Sequence, residues 1–186
     1  MTILLILAPY GVFATLMLVS SATVSLFAAA AVCLAVIAHD ARGGRSVKML
    51  AAGSAMLFAG LGAYLVLTGH VWSSSAVKLA VDAGVLSIAL ASLAIGKPFT
   101  LQYAHEMADA RTAQLPDFLT ANYVISWAWA LAIVLMMTAN ALVIYMPGLP
   151  LWAGLAIAFA ARTTAIYFTR WYPEYRKAKS AAAGMS

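Results

Sequence analysis

Residues 1–38 read MTILLILAPYGVFATLMLVSSATVSLFAAAAVCLAVIA and contain no charged side chain. A run of this length exceeds one bilayer span of ~20 residues and just suffices for two. It therefore reads as a helical hairpin, 3–19 and 22–38, turning at Ser20-Ser21. The break at Pro9-Tyr10-Gly11 leaves an alternative open, in which the first segment re-enters the bilayer or lies in its interface and 18–38 is the only span in this region. No positively charged region precedes Ala38, so a cleaved signal peptide is not expected.

The rest of the chain has the same character. Of its 186 residues 65% are hydrophobic and 9% charged, with a mean hydropathy of +0.93, whereas a soluble domain is about half apolar and a quarter charged. This excludes a soluble enzyme and a disordered chain. A disulfide scaffold is excluded too, because Cys33 is the only cysteine. Long unbroken runs rich in Ala, Leu and Gly, without ten-residue alternation, point to helices and not to a transmembrane barrel. Later spans fall at 50–67, 76–95, 118–145 and 151–169. The expected fold is all-α: a single-domain polytopic membrane bundle over 1–186, with six transmembrane helices, or five plus an N-terminal re-entrant segment.

The charges give the sidedness. Arg42, Arg45, Lys48, Lys97, Arg111, Arg170, Arg176, Lys177 and Lys179 all fall in connections or in the tail on one side of this arrangement, and Lys78 alone lies near the other. By the positive-inside rule the basic side is cytoplasmic, with both termini there in the six-span reading. The net charge of +5 is thus topological, and no nucleic-acid partner is expected. The basic tail, 170–186, suits lipid headgroups. Trp72, Tyr145 and Trp152 at one interface, and Tyr123, Tyr167, Trp171 and Tyr172 at the other, suit aromatic belts. Gly53, Gly60, Gly62, Gly84 with Ala80, and Ala156 with Ala160 are placed as helix-packing contacts.

Residues 98–115 are too polar to span. Phe99, Tyr103 and Met107 repeat at helical spacing opposite Gln102, His105, Glu106 and Asp109, which predicts one amphipathic cytoplasmic helix entered through Pro98 and ended before Pro116. Its apolar face would rest on the inner leaflet and its polar face would meet a partner. Lysines at Glu106 and Asp109 should then leave folding untouched, since exposed helix charges contribute only tenths of a kcal/mol.

Ionisable groups inside spans are candidates for function. Helical rise places Tyr64, Lys78, Asp82 and Asn140 at similar depth in the outer half, either as an interhelical lock or as an ion, proton or headgroup site. Arg162, eight residues before Arg170, falls near Asn122, Ser126 and Trp127 in the inner half, with snorkelling as its alternative. His105 and Asp109 could form half a metal site, but no second His or Cys is placed to complete it. No HExxH, GxSxG, Walker loop, CxxC or paired carboxylates occur, and His39 and His70 are expected in loops rather than in spans. No catalytic residue, metal or cofactor is expected.

Lys48-Met49 opening one span, Lys78 opening the next, and Ile95-Gly96-Lys97-Pro98-Phe99 closing it before a cytoplasmic helix resemble the intracellular septation protein A family. Trp129 followed by Asn140, a Pro-containing turn and Trp152 continue the likeness, which covers most of 45–175. The chain departs from that pattern at Asp82, where an amide is expected, and at Ala153-Gly154-Leu155-Ala156, where the family is more polar. The resemblance implies a non-enzymatic bacterial inner-membrane protein that supports envelope maintenance and septation through contacts with lipids, with division or cell-wall synthesis proteins, or with a second copy of itself. The competing expectation is a small transporter or lipid-binding protein with a polar site around Asp82. A cavity reaching Asp82 separates the two.

Overall fold

The computed structural model describes residues 3–146 and 148–183. Among them there is no strand, and eight helices follow in chain order: α1 (Ile3–Val19), α2 (Ala22–Arg42), α3 (Met49–Thr68), α4 (Ser74–Ala94), α5 (Phe99–Met107), α6 (Ala110–Ala113), α7 (Pro116–Tyr145) and α8 (Leu151–Ala183). Four of them, α2, α3, α4 and α7, are long and apolar enough to cross a membrane. α1 is apolar but shorter, at 17 residues. The fold is an all-helical bundle compatible with a multi-pass membrane protein.

Local chemistry explains the boundaries. Ser21 and Ser73 are N-caps whose hydroxyls accept from the amides of Val24 and Ala76 at 3.3 and 3.2 Å. Gly69 ends α3 in the left-handed region (φ 64°) and Gly96 turns the chain after α4 (φ 74°), conformations that a side chain disfavours. α1 runs through Pro9 without breaking and packs on α2, so the N-terminal segment forms a hairpin. Pro116 does not terminate the preceding helix. It sits at the first position of α7, where its missing N–H costs nothing. The basic tail continues α8 through Pro173 as helix as far as Ala183.

The helices pack in sequence: α1 on α2, α2 on α3, α3 on α4, α4 on α7, and α7 on α8. One core joins Phe13 and Met17 of α1, Leu26, Ala29 and Cys33 of α2, and Phe58 of α3. A second joins Ile133 and Met136 of α7 to Ala161 and Ala165 of α8. Close approach of α3 and α4 depends on Gly84, where an added Cβ would lie 2.3 Å from Leu57 Cδ1. Ala156 and Ala160 are exposed and Gly60 meets open space, so those three positions are not packing contacts.

The expected amphipathic helix is two pieces. Asp109 caps α6 and interrupts the run at Ala108. α5 is also turned differently from its expected pose, because Phe99 and Tyr103 are buried against Leu50 and Ala89 inside the bundle and only Met107 is exposed, at 73%. Packing on Leu50 and Ala89, with the hydrogen bonds of Thr100 to α7 and of Gln102 to the Met49 amide, holds this face inside the bundle. α5 therefore closes the basic end of the bundle, the end that carries the α2–α3 connection.

Candidate functional site

α1 and α8, the first and last helices of the series, face each other across a cavity of about 1120 Å³. Its walls come from Ile6 of α1, Val85 and Ala89 of α4, and Ile125, Ile133 and Met136 of α7, while Phe99 and Tyr103 of α5 contribute at the basic end. Asp82 and Arg162 both line it. At the basic end its rim carries Asp117, held by Arg176 at 2.7 Å, and Glu174, beside Lys177 at 3.3 Å, together with Arg170. Four acidic residues (Asp82, Asp109, Asp117, Glu174) and four basic ones (Arg162, Arg170, Arg176, Lys177) line the space, so the lining has no net charge.

The outer-half candidates are regrouped. Asn140 Nδ2 donates to Asp82 Oδ2 at 2.8 Å, joining α7 to α4 as expected. Lys78 lies one turn earlier on the same helix but makes no ion pair with Asp82 within 4.0 Å. Tyr64 is 43% exposed, and its ring lies against His70 and Trp72 instead (centroids 6.2 and 5.6 Å apart). Depth alone suggested its inclusion, and the rotation of α3 about its axis excludes it.

The inner-half candidates are also divided. Asn122 and Ser126 are buried and serve α5. Thr100 Oγ1 donates to the Asn122 carbonyl at 2.9 Å, and with that hydrogen committed the Ser126 hydroxyl is the donor in its 2.8 Å contact with Thr100. The Asn122 side chain donates back to the Phe118 carbonyl at 2.8 Å. Trp127 points outward at 57% exposure and belongs to no site. Trp129 is the tryptophan that bridges helices, its indole N–H donating to Thr169 Oγ1 at 2.9 Å. Arg162 joins neither Asn122 nor Ser126. It faces the cavity and has no hydrogen bond or ion pair among the described residues.

The expected partner face is largely spent inside the protein. Gln102 Oε1 accepts from the backbone amide of Met49 at 2.7 Å, and Glu106 pairs with Lys48, whose side chain is fully buried. Lys48 also reaches Asp40 at 3.5 Å and donates to the Ser46 carbonyl at 2.9 Å, while Arg45 holds the other oxygen of Asp40 at 3.1 Å. The second oxygen of Glu106 is buried with no partner among the described residues. His105 stacks edge-on to Phe118 (5.2 Å), and Asp109 accepts from the amide and hydroxyl of Thr112 at 2.7 and 3.0 Å. Those hydrogen bonds hold the Asp109 carboxyl below the usual carboxylate range. Burial pushes the Tyr103 hydroxyl up. A change of Glu106 to Lys is therefore no neutral surface substitution, since it would set one ammonium against the buried one of Lys48.

The node of Asp40, Lys48 and Glu106 escapes a sequence reading because Glu106 lies 58 residues from Lys48. A signal was present in Asp40 and Lys48, which flank the Gly43-Gly44 turn that brings them together. Among the described residues no group of three His, Cys, Asp or Glu side chains converges to hold a metal ion. No family model, curated protein or solved structure matches the chain.

Proposed function

We propose that the protein is a non-enzymatic, multi-pass bacterial inner-membrane protein that binds a lipid or small solute in its intramembrane cavity, as a transporter or lipid-handling protein does. In this reading α1 and α8 complete six spans, and the basic end with the C-terminus is cytoplasmic. The observation that carries it is the cavity of about 1120 Å³ reaching Asp82 and Arg162. A charged side chain at mid-bilayer costs about 2.5–3.5 kcal/mol on insertion scales, and such residues mark pathways and sites. Here two opposite charges face one space without pairing directly, which a structural lock does not explain.

The test is water access. In a Cys33→Ala background, Met136→Cys on the cavity wall should react with a membrane-impermeant maleimide in inside-out vesicles, and Leu135→Cys, on the outward face, should not. Equal inertness of the two overturns the binding reading. The septation-protein resemblance supplies a second reading, contact-based envelope support. What favours it is that Lys48 and Pro98, which belong to the segments that carry the resemblance, are both buried.

A further inference from the structure

We infer that the ligand of this cavity is a zwitterion whose ammonium is met by Asp82 and whose carboxylate or phosphate is met by Arg162, a specification that rests on the binding reading above. Asp82 projects from α4 and Arg162 from α8 into one space, and no ion pair joins them within 4.0 Å. Each has capacity left over. Asn140 occupies Asp82 Oδ2 and so orients the carboxylate, while Oδ1 of this cavity-lining residue accepts no hydrogen bond among the described residues. Arg162 offers five N–H donors and no acceptor, in a fork that suits a carboxylate or phosphate.

The electrostatics select the class. An anion would satisfy Arg162 and be repelled by Asp82, a cation the reverse, and in an apolar surround neither imbalance is screened as it is in water. A molecule carrying both charges satisfies both groups and leaves the four-to-four balance of the lining unchanged. Val85, Ile133 and Met136, which line the same space, accept a hydrocarbon portion. Two sources share this chemistry, the ammonium-phosphate headgroup of a phosphatidylethanolamine and a free apolar amino acid.

Delipidated full-length protein in detergent would be titrated, by native mass spectrometry and thermal shift, with phosphatidylethanolamine, phosphatidylglycerol, leucine, leucine methyl ester and N-acetyl-leucine. Expected is binding of phosphatidylethanolamine, of leucine, or of both, on the order of tenfold to a hundredfold tighter than the singly charged analogue in the same series. Lipid alone identifies a headgroup, the amino acid alone a free solute, and both the shared chemistry. Asp82→Asn should abolish the preference over the anionic analogue, and Arg162→Gln the preference over the cationic ester. The wild-type profile decides even where a variant fails to fold. Phosphatidylglycerol, N-acetyl-leucine or the ester binding as tightly as the zwitterion, or no zwitterion binding at all, overturns the inference. Labelling of Met136→Cys together with such a profile would leave the cavity reading standing and the zwitterion reading refuted.

Discussion

Replacing Lys48 by Met is a sharp test of how the basic end is held together. The side chains have similar length, so the change removes the ammonium while filling most of its volume. Asp40 stands 3.5 Å from Nζ, a separation at which the gross attraction is about 5 kcal/mol at an effective dielectric of ~20. Arg45, 3.1 Å from the other Asp40 oxygen, keeps that carboxylate paired after the lysine has gone. The uncompensated group is then Glu106, whose second oxygen already has no partner among the described residues. Removing one member of a buried pair costs about 3–5 kcal/mol. Because the Glu106 side chain is 18% exposed, the lower end applies, about 3 kcal/mol. At roughly 2–4 °C per kcal/mol for a chain of this size, thermal unfolding in detergent should begin about 6–12 °C lower. Adding Glu106→Gln removes the orphaned charge and should recover roughly half of the loss. A midpoint within about 2 °C of wild type for Lys48→Met would refute the reasoning, as would a double variant less stable than the single one.

Gly84→Ala should cost about 1–3 kcal/mol by driving its Cβ into Leu57, and Leu57→Ala in the same chain should relieve the clash; SDS-unfolding midpoints of the pair check this. Thr100→Val should lose about 1 kcal/mol and loosen α5 from α7, read as faster amide exchange in Phe99–Met107. Asp109 has a lowered carboxyl pKa, so its capping contribution is fully present above the unfolded value of ~3.9 and is lost as pH falls through the lower folded value. Protection of the Thr112 amide should accordingly be constant from pH 7 to about pH 5 and fall at lower pH, and an unchanged protection factor down to about pH 2 would contradict the cap. Asn140→Ala should leave Asp82 without its donor and lower stability by about 1–3 kcal/mol, measured by SDS unfolding.

The helices are legible in the sequence because hydropathy, serine caps and turn glycines act locally, and Ser21, Gly69 and Ser73 mark three boundaries within a residue or two. Their rotation is not legible. Tyr64 and Trp127 have the right depth for the expected clusters but face away from them, since a fully apolar helix carries no stripe to say which side faces its neighbours. α5 does carry a stripe, whose expected seat is the inner leaflet, because periodicity does not say whether lipid or protein covers an apolar face. Protein covers Phe99 and Tyr103 and leaves Met107 exposed, and that packing consumes Gln102 and Glu106. The Asp82–Asn140 bond is legible because two polar groups at equal depth in apolar helices have few other partners. The union of Asp82 with Arg162 in one cavity is not, because it depends on α1 and α8 standing apart across the bundle.

An experimental structure of the protein purified in lipid nanodiscs, at a resolution that shows side chains, tests the binding site most directly. The expected result is an open cavity between α1 and α8, with non-protein density lying between Asp82 and Arg162 and no direct contact between the two. A closed bundle, in which Arg162 bonds Asp82 directly and no space remains beside Met136, would contradict it.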